Sequence, residues 1–204
     1  MDLSLYIIAS ILLIITPGPD FIYVSSRSVS EGNKIGIISA LGISVGFLVH
    51  STLTCFGLAA IIQTSPFLYI LIKYIGAAYL TFIGIKILYR KAKPNKEAGY
   101  KSNNPRNAFL QGIMTNVLNP KALIIFMSFI PQFINPDSGN TIWQMLFLGV
   151  IFCLIATIWY CFIGFFSGHI GTLFKNNPKT QALLNYMSGT VLIALGIKLL
   201  LEKK

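Results

Sequence analysis

Thr16-Pro17-Gly18-Pro19-Asp20 is the stretch that decides the fold. It interrupts the first apolar run, between Leu3–Ile15, which carries no charge, and the apolar residues 21–24. Two prolines and a glycine do not continue a regular helix, because each proline lacks an N–H and its ring collides with the turn before it. In water this would be a turn. In lipid, freed backbone groups are costly unless protein or a water-filled cavity satisfies them. A carboxylate such as Asp20 adds about 2.5–3.5 kcal/mol at mid-membrane. The stretch reads either as a functional break in a span or as one of the proline kinks common in membrane helices. Taken alone, it leaves both open.

Composition fixes the class. Of 204 residues, 54% are hydrophobic and 11% charged, with a mean hydropathy of +0.71, whereas soluble domains carry about 25% charged residues. No charged residue occurs between Lys34 and Lys73. This is the pattern of a polytopic membrane protein. The net charge of +10 does not indicate nucleic acid, since the basic residues sit at the ends of apolar runs and in one connecting loop. Cys55, Cys153 and Cys161 all fall inside apolar runs with no ligand-like spacing, so no metal is expected. The N-terminus has neither a basic leader nor a small-residue cleavage site, so the first run is expected to be a retained span.

A span needs roughly 20 apolar residues, and six are expected, at about 3–24, 36–62, 66–89, 108–134, 141–166 and 181–201. The second carries Gly42, Gly46 and His50 at four-residue spacing, hence on one helix face, where small residues let helices approach closely. Ten basic residues follow spans one, three and five: Arg27 and Lys34, then Arg90, Lys91, Lys93, Lys96, Lys101 and Arg106, then Lys175 and Lys179. The positive-inside rule places those loops in the cytoplasm and both termini outside, with Lys198, Lys203 and Lys204 pulling mildly the other way.

Span three (74–88) and span six (186–200), offset by 112 residues, share Tyr, Leu, Gly, Ile, Lys and Leu, six identities in fifteen. A three-span unit repeated once inserts the second time upside down, which is the inverted-repeat plan of many secondary transporters. The expected fold is therefore all-α: six transmembrane helices built as two inverted three-helix repeats in a single membrane domain over 1–204. Repeat one covers about 3–89, a basic cytoplasmic linker 90–107, and repeat two about 108–201.

The opening break then acquires a partner. Span four is interrupted at Asn116-Val117-Leu118-Asn119-Pro120-Lys121, and aligning Pro19 with Pro120 sets Asp20 against Lys121. Paired discontinuities in two halves are the best sequence pointer to a transport site. A carboxylate and an ammonium suit the two ends of a zwitterion such as an amino acid; the alternative is a structural ion pair that fixes helix register. Without substrate, Asp20 and Lys121 can partly neutralise each other. Asn116 and Asn119, three apart and beside Lys121, suit either substrate hydrogen bonds or the backbone freed by Pro120. His50 is a candidate proton carrier, since imidazole is the side chain suited to exchanging protons under physiological conditions, or equally a helix-to-helix hydrogen bond. Lys73 and Lys86 lie where they can snorkel. Ser167 and His169 are ordinary interface residues, and Tyr6, Tyr69 and Trp143 read as interfacial aromatics.

The chain resembles the LysE/RhtB family of bacterial amino-acid exporters over nearly its whole length. The resemblance rests on Thr16-Pro17-Gly18-Pro19-Asp20; on Gly42, Gly46 and His50; on Lys73-Tyr74-Ile75-Gly76-Ala77-Ala78-Tyr79-Leu80 and Gly84; and on Phe109, Gly112, Asn116, Asn119-Pro120-Lys121-Ala122 and Pro131-Gln132-Phe133. It implies export of amino acids or close derivatives across the bacterial cytoplasmic (inner) membrane, driven by the proton gradient. Threonine, homoserine, leucine and cysteine-type substrates all occur among such exporters. Substrate and protons are then the small partners, no cofactor is implied, the protein is not an enzyme, and monomer or homodimer is left open. Two other classes stand beside this reading. An intramembrane thiol oxidoreductase would need Cys55 and Cys153 to meet, and an ion channel would conduct without saturation or proton coupling.

Overall fold

The computed structural model describes residues 2–89, 104–135 and 140–176, with single positions at 186, 190, 193, 194 and 197, and every regular element among them is helical. Most of the expected sixth span (181–201) and most of the basic linker lie outside the described residues.

The first apolar run forms two helices, α1 (Leu3–Ile15) and α2 (Pro19–Glu31), set at 55° to each other. Asp2 opens α1 by accepting from the Leu5 N–H at 3.0 Å. The helix stops where residue 17 would have donated to the Leu13 carbonyl, because residue 17 is proline. After an extended Gly18, Pro19 takes the first position of α2, where its missing N–H leaves no bond unmade. Then come α3 (Asn33–Thr64) and α4 (Pro66–Leu88). Next come α5 (Pro105–Val117) and α6 (Pro120–Phe129), the latter prolonged by a 3-10 turn at Ile130–Phe133; this pair is bent by 53°. The last described helix is α7 (Thr141–Asn176).

Among the described residues, Asn33–Gly57 and Thr141–Ser167 are each long and apolar enough to cross a membrane, and each bent pair passes the same test taken together, as a broken span or a re-entrant loop, which gives two to four candidate spans. Their burial is inside out for a soluble protein. Leu53, Phe56, Trp143, Leu154 and Ile158 are exposed, while Ser39, Ser44, His50, Ser51 and Thr54 of α3 are buried. Large apolar side chains turned outward need lipid around them.

The core is the seam between α3 and its neighbours, with α7 its most extensive partner and α5 the next. Ser44 accepts from the Thr157 hydroxyl at 2.8 Å, and Cys55 lies 3.7 Å from the Ile142 carbonyl, so α3 and α7 run antiparallel. Along α5, in contrast, Gly42 faces Phe109 and Gly112 while Gly46 faces Asn116, so these two helices run parallel. The spacing expected to permit close approach does so. A Cβ on Gly112 would stand 2.6 Å from the Ser39 carbonyl oxygen, and one on Gly42 would drive into the Phe109 carbonyl.

Two sequence readings need correction. Tyr6 is not an interfacial aromatic: it is fully buried, donates to the Leu148 carbonyl at 2.8 Å, and stacks on Phe129. Its hydroxyl finds a backbone acceptor inside the bundle, so nothing draws it to the interface. Arg27 is not a loop residue, because α2 continues to Glu31 and buries it to 1% exposure. A basic side chain one turn from a carboxylate on the same helix can stay inside, where a lone one cannot.

Gly42→Ala is expected to lower stability by about 1–3 kcal/mol through overpacking, roughly 5 °C in melting temperature. Gly57, whose added Cβ meets nothing within 4 Å, is the control. Gly57→Ala should melt no lower than the parent protein in the same detergent.

Candidate functional site

Both helix breaks converge on one buried spot. Pro17 has no N–H, so the Leu13 carbonyl of α1 has lost its ordinary donor. Lys121, in the first turn of α6, supplies one: Nζ donates to the Thr16 carbonyl at 2.8 Å and to the Leu13 carbonyl at 3.3 Å. The ammonium thus sits at the negative end of α1, where the helix dipole favours a cation. Its stem runs past Gly18, where an added Cβ would meet Lys121 Cδ at 3.4 Å, an ordinary packing contact. On α6, Asn119 caps the helix by accepting from the Lys121 N–H at 2.9 Å, which fixes where the lysine starts.

Asp20 occupies the opposite pole. It lies in the first turn of α2, 4% exposed, at the positive end of that helix. Its Oδ2 accepts from Asn116 Nδ2 at 2.9 Å, Asn119 lies beside the carboxylate, and Lys121 is near enough to act on it electrostatically. The two charges are therefore brought to one site, as expected, while the hydrogen bonds resolved at each go to neutral groups.

Asn116 ties the site together. It is the last-turn residue of α5, fully buried, and it reaches Asp20 with its amide while its backbone carbonyl accepts from His50 Nε2 at 3.0 Å. Its side chain lies over Gly46, where a Cβ would come within 2.6 Å. Asn116 and Asn119 do not share a helix face: the break separates them, Asn116 closing α5 and Asn119 opening α6. His50 bridges α3 to α5 and stacks on Phe126 at 5.9 Å. With Nε2 carrying the hydrogen given to the carbonyl, Nδ1 is the basic nitrogen of the neutral ring. Asp20 Oδ1, Asn116 Oδ1 and His50 Nδ1 are all buried without a hydrogen-bond partner.

Around these polar groups lies an aromatic wall. Phe47 of α3 stacks on Tyr160 of α7 at 6.1 Å and on Phe126 of α6 at 6.0 Å, and Phe152 meets Phe126 edge-on at 5.0 Å. Tyr160 is close enough to Asp20 for the two to interact electrostatically. Sequence reasoning missed Tyr160, since nothing local marks it; its only signal was the apolar run it sits in. Cys55 and Cys153 are both free. Cys55 packs at Ile142, three turns and about 16 Å along α7 from Cys153, so the pair needed by a thiol oxidoreductase is not assembled.

A multi-pass helical protein with two broken helices enclosing buried opposite charges belongs to the class of membrane translocators. The comparisons with known proteins name the family. The family model described as LysE type translocator matches residues 11–203, and the chain belongs to this family. It is a transporter and not an enzyme. It is 31% identical over 206 residues to the membrane protein YrhP of Bacillus subtilis (strain 168), covering 97% of each chain. It is 30% identical over 202 residues to a leucine efflux protein of Salmonella choleraesuis (strain SC-B67), covering 95% of this chain and 92% of the relative. A leucine efflux protein of Enterobacter sp. (strain 638) is 28% identical over 195 residues, with coverage of 95% and 92%. No solved structure matches the chain.

Asn116→Leu is expected to cost about 1–3 kcal/mol, because it leaves a buried carboxylate oxygen without its donor. His50→Gln, which keeps a donor for the Asn116 carbonyl, should cost less than about 1 kcal/mol. Thermal denaturation of both variants in one detergent separates the two.

Proposed function

We propose that this protein exports an amino acid, binding it as a zwitterion at the meeting point of the two breaks and releasing it outside in exchange for protons. One observation carries the reading. Asp20 Oδ1 and Asn116 Oδ1 are buried acceptors without donors, and Lys121, the cation of the same site, is held by backbone carbonyls. A substrate ammonium completes the two acceptors, and its carboxylate draws the Lys121 ammonium away from the α1 carbonyls. The aromatic wall of Phe47, Phe126, Phe152 and Tyr160 suits an apolar side chain, in keeping with the leucine efflux named for two relatives.

Alternating access follows from the inverted-repeat reading, which has support in the order of the elements. Each half opens with a bent pair, α1–α2 and α5–α6, followed by a long helix, and the two long helices run antiparallel. Rocking one half against the other would open the break to either side. His50 and Asp20 are the proposed proton carriers, because both combine burial at the site with an unpartnered basic atom. The positive-inside count sets the basic loops in the cytoplasm and the termini outside, in the bacterial inner membrane.

Cells preloaded with a mixture of labelled amino acids test this. Expression should accelerate loss of one or a few apolar amino acids, and a protonophore should abolish the acceleration. Asp20→Asn and Lys121→Gln should each lower export more than about tenfold at equal membrane abundance, a loss of about 1.4 kcal/mol or more. Lys121→Gln removes the charge while retaining an N–H donor on a side chain one atom shorter. Normal export by either variant contradicts the site.

A further inference from the structure

Seven and eleven residues beyond Asp20, α2 carries a second pair of buried opposite charges. Arg27 pairs with Glu31 one turn away, and the same guanidinium donates to Gln111 of α5. The two charged side chains are 1% and 3% exposed. Tyr23, whose ring lies 5.6 Å from the Arg27 guanidinium, donates to the Ala108 carbonyl of α5 at 2.7 Å. Ser28 donates to the Gly164 carbonyl of α7 at 2.6 Å. Asp20, Val24, Arg27 and Glu31 follow helical spacing, so α2 presents a charged track along one inward face, from the break to the helix end.

Burying an ion pair is seldom a route to stability, since desolvation offsets the attraction. This pair is also incompletely satisfied. Glu31 Oε1 takes the Arg27 bond, whereas Glu31 Oε2 is buried with no hydrogen-bond partner. Ser167 Oγ, one turn beyond Gly164 on α7, is likewise buried without a partner. The neighbouring residues Ser30, Gly32, Asn33 and Lys34 are exposed, so the pair stands just inside a solvent-facing rim.

Building on the export reading, we infer that Glu31 and Arg27 form a second binding station for the substrate amino acid, between that rim and the Asp20–Lys121 site. Glu31 Oε2 accepts the substrate ammonium, and the Arg27 guanidinium, already bridging two acceptors, turns part of its charge to the substrate carboxylate. The station lies one pass along α2 from the deep site, about 10 Å from Asp20 to Arg27 at 1.5 Å per residue. A zwitterion leaving the rim thus meets a matched pair of charges before it reaches the break. The station gives binding without chemistry: its charges recognise the same two groups as the deep site.

Equilibrium binding of labelled L-leucine to the purified full chain in detergent tests the station. The wild-type protein should bind two leucines, Asp20→Asn one and Glu31→Gln one. Glu31→Gln should also raise the KM for internal leucine about tenfold while leaving the maximal export rate within about twofold, a split that general loss of folding does not produce. Glu31→Asp, which keeps the carboxylate, should retain the second leucine at weaker affinity. One leucine in the wild-type protein, lost in Asp20→Asn and unchanged in Glu31→Gln, overturns the station and leaves the export reading standing. One leucine lost in Glu31→Gln but kept in Asp20→Asn supports the station and contradicts the deep site.

Discussion

A helix broken inside lipid leaves backbone carbonyls that no water will satisfy, and the rest of this structure depends on how that debt is met. At the α1–α2 break the missing donor is the N–H of Pro17, and Lys121 from the other half of the chain stands in for it. One side chain therefore does two things. It makes the break tolerable, and it delivers a positive charge to the place where the break sets a buried carboxylate. Because Lys121 comes from the second broken helix, the first break is not satisfied without the second. This is why the site forms between the halves.

The same logic orders the surroundings. Dipoles of the half-helices place a cation at the end of α1 and an anion at the start of α2. Asn116 then has to reach Asp20 from α5, which requires α5 to lie almost against α3. Gly42, Gly46 and Gly112 make that approach possible, and His50 pins it by donating to the Asn116 carbonyl. Close packing by small residues and hydrogen bonding across helices are the two forces available where lipid is as apolar as leucine. Here they converge on one asparagine.

Much of this was legible in the sequence, for reasons that can be named. Pro17, Pro19 and Pro120 announce their breaks because proline acts on its own backbone, and such effects are local. Gly42, Gly46 and His50 announce a shared face because helical spacing is local too. Asp20 and Lys121 stand out because charge in an apolar run is costly. What the sequence hid was long-range. Arg27 looked like a loop charge because its partners, Glu31 and Gln111, matter only once α2 is known to extend past the apolar run. Tyr6 looked interfacial because position in a span resembles depth in lipid, whereas its acceptor lies on α7. Tyr160 carried no local mark at all. That Asn116 and Asn119 straddle the break, instead of sharing a face, depended on where α5 stops.

The central claim is that the two breaks form one amino-acid site with Asp20 and Lys121 as its poles. An experimentally determined structure of the protein with L-leucine bound tests it most directly. The account predicts ligand density between the breaks, with the ammonium on Asp20 and Asn116 and the carboxylate on Lys121, whose ammonium has left the Leu13 carbonyl. Leucine bound elsewhere in the bundle, with Lys121 still seated on the Leu13 and Thr16 carbonyls, would contradict it.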